Sequence, residues 1–264
     1  MNVIRIIAIS LPGLLAVAIL ALSILPYFAH TATLDYLSGF RFLYLLLALV
    51  LSLVLAALCF RRRNVVNITL LLCAAVALLL NWIEIRPFFY RPSPAATISP
   101  SPTSLRLITF NLRRHNQSHE EVLAFLPGEG ADVAILLEAT GDWPTALKPL
   151  ESELPHHLSF PVQGFEIFSR IPIIDHELRA VGKERGDVRL SLEGGLDLYA
   201  SHAYPWKAHV EEGLAWHNEQ LLEHLGTEMA DAPRPLVVMG DLNASLWSPT
   251  CREMLRRSGL RDAQ

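Results

Sequence analysis

Four short apolar runs in the C-terminal part of the chain each end at a residue with a usable polar head. LRLITF (105–110) is followed by Asn111, DVAILL (132–137) by Glu138, LDLYAS (196–201) by His202 and PLVVMG (235–240) by Asp241, with Asn243 two residues later. Strands laid side by side bring their ends to one rim, where rigid backbone aims the groups and loops leave room for a ligand. Two carboxylates, two amides and a histidine suit a hard divalent cation such as Mg²⁺, which takes oxygen ligands and commonly uses one or two carboxylates plus phosphate oxygens. Zinc fits less well, because the chain has neither an HExxH helix nor a CxxC pair. It also lacks a GxxxxGK[ST] phosphate loop and a GxSxG nucleophile elbow.

These residues need elements to hold them. Besides the four runs, GFEIF (164–168) and DVRLSL (187–192) alternate as strands do. Ser118-His119-Glu120-Glu121 matches a capping box and starts a helix through Leu126. Residues 142–154 read as a helix, with Pro144 tolerated in its first turn. Residues 208–229 place Val210, Leu214, Leu221, Leu222, Leu225 and Met229 on one helical stripe, and 248–258 form a last helix. Mixed strands and helices of this kind predict a layered α/β or α+β domain. His156, His157, His176, His209, His217 and His224 show no metal-ligand spacing and read as surface residues.

The N-terminal part differs in kind. The 264 residues are 52% apolar and 18% charged, against roughly 25% charged in ordinary soluble domains, which excludes a disordered chain. Residues 1–104 hold seven Lys/Arg and two Asp/Glu, a net +5, and 105–264 hold fifteen and twenty-four, a net −9. The apolar runs at about 6–28, 42–60 and 65–83 carry no formal charge, and a bilayer core of roughly 30 Å needs about 20 helical residues. Three transmembrane helices are therefore expected in an anchor of residues 1–86. Arg61, Arg62 and Arg63 fill the turn between the second and third runs, which the positive-inside rule places in the cytoplasm. The body then lies outside the cytoplasm, in a bacterium the periplasmic side of the inner membrane, although Arg41 and Arg86 fall on the same outer side. Residues 87–104, with five prolines and four serines, read as an extended linker. The only cysteine of the body is Cys251, so no disulfide forms within it.

The ordered set TFNLRRHN around Asn111, ADVAILLEA around Glu138, FSRIPI (168–173), LYASHAYP around His202 and VVMGDLNAS (237–245) resembles the endonuclease/exonuclease/phosphatase superfamily, the deoxyribonuclease I-like fold. The three-run head followed by a proline-rich linker resembles its bacterial membrane-anchored members. The resemblance covers residues 105–264 and implies an α+β four-layer sandwich, two mixed β-sheets with helices outside. It implies phosphoester hydrolysis by an activated water, with Mg²⁺, or Mn²⁺ in its place, as cofactor. By motif, Glu138 ligates the metal with Asn111 beside it. Asp241 orients or deprotonates the water, Asn243 holds Asp241 or a phosphate oxygen, and His202 bonds the phosphate or assists the leaving group. Arg170 braces the site. The family pattern ends with an Asp-His pair on a last strand. Here Asp175 and His176 lie in the wrong place and the sequence stops at Gln264. The expected sandwich is thus incomplete at its C-terminus, as a piece of a longer product or a degraded member.

The expected partners are the lipid bilayer and a phosphoester substrate, either nucleic acid or a lipid head group. The acidic body disfavours tight, non-specific duplex binding, which rests on Lys/Arg contacts to phosphates, while Arg113 and Arg114 stand close enough to Asn111 to contact one phosphate. The contrasting expectation is a catalytically degraded member that serves as a membrane-bound interaction module.

Overall fold

The computed structural model describes residues 3–28, 32–89, 104–205, 217–232 and 235–261. The chain divides into two compact units. One is Met1–Ala95 with Ala244–Glu253 and Arg261–Gln264; the other is Ala96–Asn243 with Met254–Leu260.

In the first unit the apolar runs are helical: α1 (Val3–Ile24), a 3₁₀ turn (Leu25–Tyr27), α2 (Ala32–Ser38), α3 (Arg41–Arg61) and α4 (Val65–Phe89). Helices α1, α3 and α4 share a core that includes Ala16, Ile19, Ala48, Leu55, Ala74 and Ala77. Small side chains there let the helices approach closely; a Cβ on Gly13 would come within 2.6 Å of Leu70. The outer faces of α3 and α4 expose Leu43, Leu46, Leu53, Leu72 and Leu79, where a water-facing helix would be polar. Both helices are long and apolar enough to cross a membrane.

The expectation of three spans needs correction: among the described residues two helices meet that measure, not three. The described apolar stretch at the start of the chain, Leu11–Tyr27, falls among the shorter apolar helices of 10–17 residues. Arg41 is fully buried; it donates to Asn81 Oδ1 and the Ser23 carbonyl, both at 3.4 Å, and Asn81 donates to Ser23 Oγ at 2.7 Å. Its charge is therefore tied up among three helices rather than free to set orientation. Within the same unit the Thr250 N–H donates to Asp35 at 2.9 Å, and Arg252 pairs with Glu84. Helix α4 runs through Phe89, so residues 87–89 of the expected linker are helical, and 90–103 lie outside the described residues.

Among its described residues the second unit holds eight strands: β1 (Leu107–Asn111), β2 (Val133–Leu137), β3 (His156–Phe160), β4 (Phe165–Ser169), β5 (Ile173–Val181), β6 (Arg185–Leu192), β7 (Asp197–His202) and β8 (Leu236–Asp241). They form two four-stranded sheets, ordered β1-β2-β4-β3 and β5-β6-β7-β8. Each sheet is mixed, with one parallel pair: β1 with β2, and β7 with β8. The continuous apolar run of β2 follows from burial on both faces. Val133, Ile135 and Leu137 point into the core shared with Val188, Leu190, Leu198 and Ala200 of the other sheet. Ala134 and Leu136 point the other way, against Val122, Leu126, Trp143 and Leu147.

Those last four residues come from the helical layer, α5 (His119–Gly128), α6 (Trp143–Ala146) and a 3₁₀ segment (Lys148–Ser152), with Leu147 at the junction of the last two. The single helix expected over 142–154 is broken where Pro149 lacks the N–H that would continue it. On the far side of the second sheet Glu219–Thr227 winds as a π-helix, burying Leu221 and Leu225. Residues 208–216 of the expected helix 208–229 lie outside the described residues. The last helix is present as α7 (Pro249–Ser258). The architecture is α+β, two mixed sheets flanked by helices, as expected.

Two strands have no counterpart in the sequence reading. β3 (HHLSF) and β5 (IIDHELRAV) are edge strands, and β5 is largely exposed and charged. Charged edges discourage pairing with other chains, and the same charges hide the alternation by which a strand is recognised.

Candidate active site

The two parallel pairs decide where the chemistry sits. Parallel neighbours end on the same side, so Asn111 closes β1 beside Leu137, with Glu138 next, and His202 stands in register with Asp241. Asn111 joins the two sheets. Its Nδ2 donates to Glu138 Oε1 at 3.3 Å and to Asp241 Oδ2 at 3.0 Å, and its Oδ1 accepts the Arg113 N–H at 2.9 Å. One amide thus holds two carboxylates together.

The backbone is bent to allow this. Arg113, Glu138 and Asn243 all have positive φ, at 60°, 57° and 48°. They are the non-glycine residues with positive φ among those described, and a side chain there costs roughly 1–2 kcal/mol. Residues held so at some cost cluster at functional sites. The turn at Arg113 brings the Arg114 N–H to Glu138 Oε2 at 3.0 Å. The Asn243 N–H bonds Asp241 Oδ1 at 3.0 Å, and its side-chain amide donates to the Ala203 carbonyl at 2.8 Å. Asn243 therefore holds Asp241 through its backbone, while its side chain ties the ends of β7 and β8 together. Gly240 makes the approach possible: a Cβ there would lie 1.9 Å from the Ser201 carbonyl oxygen. Gly164, at φ +73°, lets its carbonyl accept the Ala139 N–H at 3.1 Å close behind Glu138.

Electrostatics separates the two titratable groups that neighbour each other here. Burial pushes the Glu138 carboxyl up, but bonds from the Arg114 N–H and Asn111 and the charge of Arg185 outweigh it and hold the group below the usual range. His202 is 1% exposed, and neither ring nitrogen has a hydrogen-bond partner. Burial, assisted by the Arg185 charge, lowers its pKa to about 4 against the opposing pull of Asp241 and Glu138. His202 is thus a neutral imidazole at pH 7, with Nε2 3.8 Å from Glu138 Oε1.

Five of the six site residues expected from sequence meet at this rim: Asn111, Glu138, His202, Asp241 and Asn243. Arg170, expected as a brace of the site, does not. It follows β4, which runs antiparallel to β2 and ends beside Val133, at the start of β2. There Arg170 donates to Asp132 at 2.8 Å, about five strand residues, roughly 17 Å, from Glu138. The sequence reading missed Arg185, Thr140, Gly164 and Gly240. The two glycines carried a signal, since an isolated glycine in or beside a strand marks close backbone approach. It also misplaced two histidines: His217 and His224 are buried, bonded to the Tyr204 carbonyl at 2.7 Å and to Asp187 at 2.9 Å.

The donor set fits a hard divalent cation. Glu138 and Asp241 each retain lone pairs beyond the bonds they accept, and oxygen donors of this kind suit Mg²⁺. Among the described residues no group of three or more His, Cys, Asp and Glu has the geometry of a metal site; the set here is two carboxylates joined by an amide.

Residues 108–263 match the model of the Endonuclease/Exonuclease/phosphatase family. The chain belongs to that family. Among solved structures it is similar to humanized D. rerio TDP2, at 19% identity and TM-score 0.43 over 53% of this chain and 63% of that one. It is likewise similar to D. rerio TDP2 complexed with single strand DNA product, at 19% and 0.43 over 59% and 64%, and to C. elegans TDP2, at 14% and 0.42 over 72% and 65%. The match thus spans under two thirds of each of these chains and decides nothing about substrate. No curated protein matches the chain.

Proposed function

We propose that the protein is a membrane-anchored phosphoesterase that depends on a divalent metal, Mg²⁺ or Mn²⁺, and uses the strand-end rim as its active site. The observation that carries this reading is the Asn111 amide shared between Glu138 and Asp241. Glu138 and Asn111 would hold the metal, which supplies charge stabilisation and an acidified water when bound. Asp241 has one donor on each oxygen, Asn111 and the Asn243 N–H. This fixes its orientation and leaves lone pairs to align the attacking water and accept its proton. His202 is neutral, so it contributes an N–H to a phosphoryl oxygen rather than a full positive charge, in a buried place where such a bond is strengthened.

Helices α3 and α4, long and apolar enough to cross a membrane, support the anchor. The turn between them exposes Arg61, Arg62 and Arg63, which favours a cytoplasmic turn and a periplasmic catalytic domain. The burial of Arg41 removes one charge that spoke against this orientation.

The test uses purified full-length protein with plasmid DNA, sphingomyelin vesicles and bis(p-nitrophenyl) phosphate. Hydrolysis that needs Mg²⁺, stops with EDTA and is lost in Asp241→Ala with an unchanged thermal melt supports the reading. Equal rates with and without metal, or in the variant, would sink it. Protease access to a tag at Gln264 in intact cells tests the orientation.

A further inference from the structure

Beside Glu138 lies a second feature that the catalytic reading does not use. A pocket of about 320 Å³ is lined by Arg114, Thr140, Arg185, Glu184, Pro161 and Val162, with Glu138 at its wall. Two buried polar atoms of its lining residues, Thr140 Oγ1 and Arg185 Nε, have no hydrogen-bond partner. Buried polar atoms are nearly always bonded, so an orphan is a place to look for a ligand. The Arg185 guanidinium has five N–H donors in a fixed fork. One bonds the Glu184 carbonyl at 3.1 Å, and Nη2 stands 3.8 Å from Glu138 Oε1, beyond hydrogen-bond reach. The Arg114 guanidinium makes only an exposed 3.4 Å contact with Glu184, of the weak surface kind.

We infer that this pocket binds a phosphate monoester carried by the substrate beside the ester that is cleaved. The substrate class is then a phosphoester with a second, terminal phosphate. The inference rests on the proposed phosphoesterase reading, since the pocket shares Glu138 with the site. Three observations select the ligand. Two guanidiniums and a hydroxyl suit a compact tetrahedral anion, which guanidinium forks bind with charge-assisted bonds. The opposing charges do not fill the pocket: Glu138 is held by Asn111 and the Arg114 N–H, and Glu184 is half exposed. The apolar walls are Pro161 and Val162, with no aromatic ring on which a nucleobase would stack. The volume is at the small end of ligand pockets, enough for a phosphate and a few neighbouring atoms.

A terminal phosphate can come from a lipid head group or from an oligonucleotide end, and paired substrates separate the two. Full-length protein is assayed on phosphatidylinositol against phosphatidylinositol phosphate vesicles, and on a dinucleotide with a terminal hydroxyl against the same dinucleotide with a terminal phosphate. The expected result is a KM about tenfold lower for the phosphorylated member of one pair, the effect of one bond to a charged group. In Thr140→Val and in Arg185→Gln the KM ratio falls to about one. Equal KM within both pairs, or a ratio that both variants preserve while their thermal melts stay unchanged, overturns the inference. If no substrate is cleaved, the phosphoesterase reading fails on its own. The pocket is then tested by titrating inorganic pyrophosphate into the protein by calorimetry. Binding that Thr140→Val weakens keeps the pocket assignment, and absence of binding ends it.

Discussion

His157 and His202 both lie near carboxylates in the same sandwich, and they are driven in opposite directions. His157 stacks on Phe168 and bonds the fully buried Glu166 at 2.5 Å, with Glu151 on its other nitrogen at 3.1 Å. Ser159 occupies the second oxygen of Glu166. The bond to Glu166 is the largest influence on His157 and raises its pKa despite burial. His202 is more deeply buried, has no partner on either nitrogen, and falls to about 4. The same residue type is a closed structural pair in one place and an open, neutral ring in the other. Backbone differs with it. The residues with strained positive φ that are not glycine, Arg113, Glu138 and Asn243, belong to the His202 end, whereas at the opposite end Asp132 is satisfied by Arg170 and the Arg106 N–H. Satisfied polar groups on relaxed backbone are how a fold keeps itself together. Orphaned groups on strained backbone are how it keeps something ready for a ligand.

The largest way to break this contrast is at Asp241. Asp241→Ala should lower the hydrolysis rate by about 10²–10⁴-fold, the range for a catalytic base, with the thermal melt of the detergent-solubilised protein unchanged. Next is Gly240→Ala. A Cβ 1.9 Å from the Ser201 carbonyl at φ +142° should destabilise the domain by about 4 kcal/mol, a value reserved for such special positions, and denaturant unfolding would measure it. Arg113→Gly works the other way. Relief of positive φ at an exposed residue should raise stability by about 1 kcal/mol, and a lower midpoint would remove strain from the account of this end.

The His157 pair sharpens the contrast through pH. Its folded pKa lies above the ordinary 6.5, so its contribution is complete below about 6.5 and is lost as pH rises through the folded value. The melting temperature should therefore decline across that interval, and His157→Gln should flatten the decline. The smallest effect belongs to Arg170. Its pair with Asp132 is half exposed on the arginine side, so Arg170→Ala should cost about 0.2–1 kcal/mol and leave phosphoester hydrolysis unaltered. A large activity loss there would bring Arg170 back to the site.

Much of the site was legible because its residues punctuate strands. An apolar run of five or six residues announces a strand, and the polar residue after it announces an end, so Asn111, Glu138, His202 and Asp241 stood out locally. Arg170 came from the FSRIPI motif of the resemblance instead, and a short motif carries no sign of the direction in which its strand runs. β4 is antiparallel to β2, so its end lies at the other side of the sheet. β3 and β5 escaped notice as polar edge strands. His217 and His224 passed for surface residues because their partners, the Tyr204 carbonyl and Asp187, lie thirteen and thirty-seven residues away.

By itself the sequence determined the apolar head, a layered body of mixed strands and helices and the set of polar strand ends, since each depends on local composition and periodicity. Only the tertiary structure decided which ends meet, that one amide of Asn111 serves two carboxylates, and that Arg185 and Thr140, each with a buried unbonded donor, line a pocket beside them. Strand direction and sheet-to-sheet packing fix those facts, and both are set by contacts between residues far apart in the chain.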